Sequence, residues 1–336
     1  MKALVTGASG FIGSTLIEEL GTLGFDVYAL MRRSSSSANL EGLRMTRLEG
    51  DLSNQESLRA ALRKIPELDY VFHLAGATAG PNREYYFEHN ARGTARLARA
   101  IAEEKPGLQR FVHVSSLAAA GPPTSLTPRT ESDSEHPVSA YGESKFEAEK
   151  ELLRYKSVYP ITIIRPPMVY GPRDKGVFIL IKAVSRNVML SFPSADPRGD
   201  KYYSVIHSKD LCRGLVQAAL AKTDRVPSGE VFYLAGDGVH SYREILSTIA
   251  EQLGVDPFKL KLPKSVLYLV AAAGSALGHV SKKTFALNFD KLNELLPDYW
   301  ICSNQKAKDT LGFAPELALE AGMAQTIEWY KRQKWL

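Results

Sequence analysis

Gly7-Ala8-Ser9-Gly10-Phe11-Ile12-Gly13 stands between a short apolar run, Lys2 to Val5, and an amphipathic segment, Ser14 to Leu20. This order predicts a strand, a glycine turn and a helix. At such a junction the backbone N–H groups and the positive end of the helix point towards a bound anion. The first twenty residues therefore predict a site for a phosphate-bearing ligand.

The three glycines have separate roles in this interpretation. Gly7 permits the tight turn, Gly10 lets a pyrophosphate approach the backbone, and Gly13 lets the helix pack on its strand. The spacing is G-x-x-G-x-x-G rather than the commoner G-x-G-x-x-G, and a glycine turn without a ligand is the alternative. The position directly after an N-terminal strand favours dinucleotide binding. The candidate cofactor residues of this turn are Gly7, Ser9, Gly10, Phe11, Ile12 and Gly13.

Strand and helix patterns then alternate along the chain, which predicts an α/β fold with a doubly wound parallel sheet. The predicted strands are Asp26 to Met31, Thr46 to Glu49, Tyr70 to His73, Arg110 to Ser115 and Ile161 to Ile164. The predicted helices between them are Ser57 to Lys64, Ala91 to Glu104 and Ser144 to Tyr155. Ligands of such sheets lie at the carboxyl ends of the strands.

The character of the sequence changes after Arg165, where prolines and glycines interrupt regular patterns. We therefore predict a dinucleotide-binding domain over residues 1–170, with 203–236 rejoining its sheet. Residues 171–202 and 237–336 are predicted to form a smaller α/β substrate lobe. Ser265 to Val280 carries no formal charge and is flanked by lysines. It is too short to span a bilayer, and a core helix or pocket wall is favoured over peripheral contact with a membrane.

Composition limits the class of protein. The chain has 336 residues and a net charge of +5, with scattered lysines and arginines that favour a solvated surface over a nucleic-acid site. Its two cysteines and seven histidines show no metal-ligand or disulfide spacing, so we predict no metal. No apolar run of spanning length occurs, and the strand pattern starts too early for a cleavable signal peptide. A cytoplasmic location is the expectation.

The residues after the second and third strands bear on the choice of dinucleotide. Arg32 and Arg33 occupy the place where a carboxylate would accept hydrogen bonds from the ribose of NAD. Two cations there favour the 2′-phosphate of NADP, with NAD as the alternative and solvated loop arginines as the non-functional interpretation. Asp51, next to Leu52, is equally consistent with an adenine contact and with capping the following helix.

Tyr141-Gly142-Glu143-Ser144-Lys145 supplies a phenol and an ammonium four residues apart. On a helix both would lie on one face, where the charge of Lys145 can favour the phenolate of Tyr141. A tyrosine whose pKa falls towards neutrality is a usable general acid or base. Alone, such a pair is more often a tyrosine beside a solvated lysine.

Several short motifs occur in one order along the chain: TGASGFIG at 6–13, HLAG at 73–76, HNARGT at 89–94, VSS at 114–116, YGESK at 141–145 and RPPMVYGP at 165–172. Together they make the chain resemble the extended short-chain dehydrogenase/reductases, the NAD(P)-dependent epimerase/dehydratase superfamily. The resemblance covers essentially the whole chain. It is nearer the branch of 3β-hydroxysteroid dehydrogenases, sterol dehydrogenases and dihydroflavonol reductases, because Pro167 and Met168 replace the asparagine common in sugar-nucleotide members.

The resemblance implies roles for matching residues. Tyr141 would exchange a proton with the substrate oxygen, Lys145 would bind the nicotinamide ribose and lower the pKa of Tyr141, and Ser116 would hydrogen-bond the reacting oxygen. Asn90 would hold the cofactor or a water of the proton relay. The remaining residues implied to line the cofactor are Leu52, Leu74, Ala75, Gly76, Ser115, Pro166 and Met168.

The sequence therefore predicts an oxidoreductase that prefers NADP and acts on an apolar secondary alcohol or ketone. A sterol- or isoprenoid-like molecule is the expected kind of substrate. The resemblance also implies a homodimer formed through the helices at Ala91 to Glu104 and Ser144 to Tyr155. Two alternatives remain open. One is a nucleotide-sugar epimerase or dehydratase that retains NAD, and the other is a non-catalytic cofactor-binding scaffold.

Overall fold

The computed structural model describes residues 1–281 and 287–336. Within these ranges the strands, β1 to β14, are Lys2–Thr6, Asp26–Met31, Thr46–Glu49, Tyr70–His73, Arg110–Val114, Ile161–Ile164, Met168–Tyr170, Val188–Ser191, Tyr202–Tyr203, Val205–His207, Glu230–Phe232, His240–Ser241, Phe258–Lys261 and Tyr299–Trp300. The α-helices described, α1 to α13, are Phe11–Thr22, Gln55–Arg63, Arg83–Tyr86, Gly93–Glu104, Leu117–Ala120, Ala140–Leu153, Gly176–Ser185, Ser208–Leu220, Tyr242–Leu253, Lys264–Ser281, Phe289–Leu295, Gln305–Leu311 and Leu319–Arg332.

Seven of these strands form one parallel sheet in the order β3-β2-β1-β4-β5-β6-β11. Helices α1 and α8 pack on one face, and α2, α4 and α6 pack on the other, each face closed by its own apolar cluster. The strand order reverses between β1 and β4, and ligands of doubly wound sheets bind at this point. The predicted α/β fold class is confirmed.

Most predicted elements of the first 165 residues lie where the sequence placed them. Helix α6 begins earlier than the predicted Ser144, because Ser139 caps it: the Ser139 hydroxyl accepts a hydrogen bond from the Gly142 N–H at 3.0 Å. The whole Tyr141–Lys145 segment is therefore helical. Helix α4 is preceded by a π-helical segment, Phe87–Arg92, which the helical periodicity did not distinguish.

The return of the chain to the sheet differs in one respect from the prediction. Glu230–Phe232 joins the large sheet beside β6, but Val205–His207 pairs with Met168–Tyr170 in a separate two-stranded sheet. This second pairing begins at Met168, directly after Pro166 and Pro167, where the chain leaves the large sheet. Residues from both parts of the chain therefore meet beside the carboxyl end of β6.

The C-terminal lobe has its own core between α7, α9 and α13, with Ile181, Ile245 and Met323 among its buried residues. A smaller apolar cluster joins α10 to α11 through Leu267, Ala271 and Leu292. Among the described residues, no helix combines the length and apolarity needed to cross a bilayer.

The prediction that Ser265 to Val280 is a core helix holds for one face only of the part of α10 whose side chains are described, and the pocket-wall alternative stays a prediction. Leu267 and Ala271 are buried, but Leu269 is 72% exposed and Val266, Tyr268 and Val270 are also exposed. The physical reason is that α10 packs against α11 along one narrow face only. Of the flanking lysines, Lys282 and Lys283 lie outside the described residues.

Candidate active site

Two helices bring Ser116, Tyr141 and Lys145 together beside the carboxyl end of β5. Ser116 caps α5 by accepting a hydrogen bond from the Ala118 N–H at 3.1 Å, and it lies close enough to Tyr141 to act on the pKa of the phenol. Tyr141 and Lys145 lie one turn apart on α6. The two helices approach closely because residue 142 is glycine: a Cβ there would lie 2.3 Å from the Ala118 carbonyl oxygen. The three residues implied to be catalytic are thus neighbours in the structure.

Lys145 is 4% exposed and donates a hydrogen bond from Nζ to the Val114 carbonyl at 2.7 Å. Burial lowers the pKa of Lys145 to about 8, against the opposing influence of the Glu149 carboxylate. A buried ammonium without a direct carboxylate partner is costly, because it has lost its water shell. The buried, charged Lys145 side chain therefore lowers the free energy of unfolding of the protein.

Tyr141 does not have the lowered pKa that the sequence predicted. Burial, reinforced by the negative charge of Glu294, raises the pKa of Tyr141 to about 12, while the nearby Ser116 acts in the opposite direction. The phenol is accordingly neutral near pH 7, which is the protonation state of a general acid.

Asn90, in the π-helical segment Phe87–Arg92, contacts the loop after β4. Its Oδ1 accepts a hydrogen bond from the Ala77 N–H at 2.6 Å, and its Nδ2 donates to the Ser144 hydroxyl at 2.8 Å. A Cβ at Gly76 would lie 2.9 Å from Asn90 Oδ1 and 3.8 Å from Lys145 Nζ. Asn90 therefore connects the loop after β4 to the first turn of α6.

A chain of hydrogen bonds through His73 holds this loop and Asn90 in place. On one side of the ring, His73 Nδ1 lies 2.7 Å from the Thr6 hydroxyl, which accepts a hydrogen bond from the Ala75 N–H. On the other side, His73 Nε2 lies 2.8 Å from the Thr94 hydroxyl, which donates to the Asn90 carbonyl. Only an Nε2–H tautomer lets every member donate and accept once. Burial lowers the pKa of His73 to about 3, so the ring stays neutral. His73 is thus a satisfied interior histidine that supports the site.

The glycine turn after β1 fits a dinucleotide. Gly7 has a φ of +68°, and a Cβ there would lie 2.8 Å from the Ala75 nitrogen, so the loops after β1 and β4 touch backbone to backbone. A Cβ at Gly13 would lie 2.1 Å from the Gly7 carbonyl oxygen. Within the described chain, α1 has no side-chain cap and no acidic residue in its first turn. Its N-terminal N–H groups thus face an exposed Gly10, as an anion site requires.

The arginines predicted to select NADP lie at the carboxyl edge of β2. Arg32 and Arg33 are both exposed, and Arg47 of β3 donates to their carbonyl oxygens at 3.2 and 3.3 Å. Arg47 was missed by the sequence analysis, because its register opposite Ala29 depends on strand pairing. Three guanidinium groups therefore belong to one edge of the sheet.

Asp51 does not cap α2, which corrects one of the two interpretations of this residue. Asn54 is the cap, accepting from the Ser57 N–H at 3.0 Å, whereas Asp51 accepts from the Ser53 N–H and hydroxyl at 2.9 Å. These bonds lower the pKa of Asp51. The reason is spacing, since Asp51 lies four residues before the first residue of the helix.

The remaining candidate cofactor residues lie in or next to the segments that follow the strands of the large sheet. Leu74 and Ala75 follow β4 and are half-buried, Leu52 accepts from Arg96 through its carbonyl, and the carbonyl of Pro166 accepts from the Leu117 N–H at 2.8 Å. Met168 begins β7. The Ser115 hydroxyl donates a hydrogen bond to Glu149, which forms a buried ion pair with Arg165 at 2.5 Å. Ser115 therefore supports this ion pair. Ser9 keeps its carbonyl bonded to Asn39, and Phe11 and Ile12 open α1.

The sequence analysis missed helix α11, which covers Tyr141. Asp290 accepts from the Ala140 N–H at 2.5 Å, and Glu294 accepts from the Ser139 hydroxyl at 2.7 Å. The Lys291 ammonium lies 5.2 Å from the centroid of the Tyr141 ring and pairs with Glu294 at 2.8 Å. These residues follow Tyr141 by about 150 positions, and no local signal connects them to it.

The buried ammonium of Lys145 gives a prediction for stability. At neutral pH the Lys145 amine is protonated in both the folded and the unfolded state, so the full cost of burying its charge is present. Between about pH 8 and 10.5 the folded protein releases this proton while the unfolded chain still holds it. The folded protein therefore gains stability as the pH rises through this range. We expect the free energy of unfolding of the wild type to rise by up to about 3 kcal/mol relative to Lys145→Met over this range. Urea denaturation at several pH values measures the difference.

Lys150→Met is the matched control for this prediction, because Lys150 is an exposed lysine of the same helix. It is expected to leave the pH dependence of stability unchanged. The loss of a donor to the Val114 carbonyl adds a constant offset in Lys145→Met, so the slope against pH is the readout. Parallel curves for the wild type and Lys145→Met would contradict the buried-charge assignment.

Comparison with known proteins agrees with this geometry. The model of a family described as the NAD dependent epimerase/dehydratase family matches residues 3–235. The ceramide reductase of Caulobacter vibrioides is 27% identical over 335 residues, covering 99% of this chain and 95% of that protein. The decarboxylating sterol-4-alpha-carboxylate 3-dehydrogenase of Schizosaccharomyces pombe is 26% identical over 347 residues, covering 99% of both chains.

A solved structure has the same fold. MoeE5 in complex with UDP-glucuronic acid and NAD superposes with a TM-score of 0.77 at 25% identity, covering 99% of this chain and 100% of that chain. The match extends over both lobes of the structure. The loops after β1 and β4 therefore belong to an architecture that holds a dinucleotide in another protein.

Proposed function

We propose a specific reaction for this chain, which belongs to the NAD dependent epimerase/dehydratase family: hydride transfer between a nicotinamide cofactor and an apolar secondary alcohol or ketone. One observation carries the proposal. Tyr141 lies next to Ser116 of the α5 N-terminus and one helical turn from a buried Lys145, whose ammonium lies near the loop after β4.

The chain's own residues supply proton transfer and orientation in this proposal, while the cofactor, when bound, supplies the redox chemistry. For reduction of a ketone, Tyr141 Oη donates its proton to the substrate oxygen, and the Ser116 hydroxyl donates a hydrogen bond to the same oxygen as negative charge develops there. The raised pKa of Tyr141 keeps this proton available at neutral pH. Lys145 would turn from the Val114 carbonyl to a ribose hydroxyl and bring its positive charge near the phenol.

Cofactor choice is proposed to favour NADPH through Arg32 and Arg33. A hydrogen bond to a charged group is worth roughly 1.5–3 kcal/mol, so the Arg32→Ala/Arg33→Ala variant should bind NADPH about ten- to a hundredfold more weakly and NADH nearly as before. Calorimetric titration with each nucleotide measures both dissociation constants. Arg44→Ala is the control, because Arg44 is exposed nearby but precedes β3 rather than following β2. Equal loss for both nucleotides would refute the 2′-phosphate assignment.

An apolar substrate is supported by the relatives, whereas the residues of α11 that cover Tyr141 are charged. The names of the two relatives given above refer to a ceramide and to a sterol carboxylate. We therefore propose a lipid-like substrate, of which sterol- and isoprenoid-like ketones are members.

A nucleotide-sugar epimerase is the second candidate, favoured by the likeness to MoeE5 in complex with UDP-glucuronic acid and NAD. Such an enzyme retains its NAD through the reaction cycle. The two candidates separate on two measurements: the ultraviolet spectrum of the purified protein, and the net consumption of NADPH with a panel of long-chain and sterol-like ketones. Consumption of one NADPH for each alcohol formed supports the reductase, whereas bound NAD that survives purification, without net consumption, supports the epimerase.

A further inference from the structure

The outward face of α10 is apolar over the part whose side chains are described. Leu269 is 72% exposed, Tyr268 48%, Val270 47% and Val266 40%. A surface helix ordinarily turns charged residues to water, yet residues 265–281 include no Asp, Glu, Lys or Arg. An exposed apolar surface of this kind marks a site of contact with a partner.

Strand β13 extends this surface immediately before α10. Phe258 is 72% exposed and Leu260 42% exposed. They alternate with the exposed Lys259 and Lys261, and an exposed Lys264 begins the helix. From 258 through 281 the sequence contains three lysines and no acidic residue. Within residues 258–281, the formal charges beside the apolar surface of β13 and α10 are therefore all positive.

We propose that this surface, formed by Phe258, Leu260, Val266, Leu269 and Val270, docks on a membrane that contains anionic lipid. Apolar side chains above a basic border are the features by which helices bind in the plane of such a membrane. Charge complementarity selects this occupant over a second copy of the chain. A symmetric contact through the same surface would place lysines against lysines, which opposes association.

The docked surface is physically connected to the active site. Leu267 and Ala271, on the opposite face of α10, pack on Leu292 of α11, and the Phe289 N–H donates to the Ser275 hydroxyl at 3.1 Å. Helix α11 in turn holds the N-terminus of α6 and places Lys291 over the Tyr141 ring. The membrane would thus lie next to the element that covers Tyr141, which suits a substrate dissolved in the bilayer. This last step rests on the proposed function, whereas the docking itself does not.

Sedimentation with lipid vesicles tests the docking. We expect the full-length protein to bind vesicles of phosphatidylcholine and phosphatidylglycerol, and to bind pure phosphatidylcholine vesicles more weakly, on the order of fivefold for each lysine that faces the surface. The Phe258→Glu/Leu269→Glu variant should bind at least about tenfold more weakly, since it places charge in the apolar surface. Leu220→Glu is the matched control, because Leu220 is 44% exposed on α8, away from this surface, and it should bind as the wild type does.

Equal binding of vesicles by the wild type and Phe258→Glu/Leu269→Glu would overturn the proposal, as would no binding to anionic vesicles at moderate salt. The proposal would also be overturned if the wild type did not bind vesicles and the variant sedimented differently from the wild type in the absence of lipid. That result would assign the surface to contact with a second copy of the chain. Thermal melting followed by circular dichroism checks that each variant is folded. Turnover of a water-soluble ketone is measured with the folded Phe258→Glu/Leu269→Glu variant, because that reaction needs no membrane. The result keeps the test of docking separate from the test of the proposed reaction.

Discussion

The Tyr141→Phe variant is expected to lose about 10²- to 10⁴-fold in kcat while its dissociation constant for NADPH changes little. The substitution removes the phenol hydroxyl and keeps the ring beneath Lys291. Proton transfer to the substrate oxygen is then lost, but the glycine turn and the arginines that are proposed to bind the cofactor are untouched. Steady-state kinetics and calorimetric titration measure the two quantities separately.

Tyr86→Phe is the matched control for this prediction. The Tyr86 ring lies 6.0 Å from the Tyr141 ring, but its hydroxyl accepts a hydrogen bond from the Gly80 N–H at 3.0 Å. Its loss should affect kcat far less than Tyr141→Phe, since it orders a loop rather than supplying a proton. Comparable turnover in Tyr141→Phe and the wild type would show that Tyr141 is not the general acid.

The Gly13→Ala variant should lose dinucleotide affinity by at least about tenfold and also lose stability. A Cβ at this position would lie 2.1 Å from the Gly7 carbonyl oxygen and 2.9 Å from the Ala8 Cα, and both are backbone atoms that cannot rotate away. Overpacking of this kind costs about 1–3 kcal/mol or more, and relief requires α1 to move away from the turn. The N–H groups that would face the pyrophosphate are displaced with it.

Gly21→Ala separates this steric effect from a general effect of glycine replacement. Gly21 lies on the same helix, and a Cβ there would meet nothing within 4 Å. Alanine should be neutral or stabilising at this position by up to about 1 kcal/mol, because it favours the helix. Calorimetric titration and thermal melting of both variants check the prediction. Wild-type affinity in Gly13→Ala would mean that the turn does not hold the cofactor.

Local sequence was sufficient to predict the fold of the first 165 residues. Strands such as Asp26–Met31 and Tyr70–His73 are short apolar runs between turn residues, so their bounds follow from hydrophobic patterning. Tyr141 and Lys145 share a helical turn for the same reason. Order along a doubly wound sheet then places the strand ends at one edge, and the chain's membership of the family agrees with that placement.

Contacts between distant parts of the chain were out of reach. Asp290, Lys291 and Glu294 reach the start of α6 only through the packing of α11, and the buried Glu149–Arg165 pair depends on the approach of α6 to the end of β6. The pKa of Tyr141 could not be predicted for the same reason. Burial and Glu294 raise it, and neither is visible in the Tyr-x-x-x-Lys spacing.

The two interior histidines illustrate the same limit. Both lie in apolar strands, where a buried ring ordinarily has a hydrogen-bond partner. His73 has two, Thr6 and Thr94, whereas within the described chain neither ring nitrogen of the fully buried His113 has a partner. Burial lowers the pKa of His113 well below its ordinary value. Strand alternation predicts burial, but the partners of a side chain depend on neighbouring strands and helices.

Deuterium transfer tests the central claim most directly. The protein would be incubated with NADPH deuterated at either face of C4 and with each apolar ketone of the panel, and the product alcohol analysed by mass spectrometry. We predict one deuterium at the carbinol carbon from one of the two faces, one NADP⁺ for each alcohol, and transfer that is slower by about 10²- to 10⁴-fold in Tyr141→Phe. Turnover of a nucleotide sugar without net cofactor consumption, together with no deuterium in any ketone-derived product, would contradict the account.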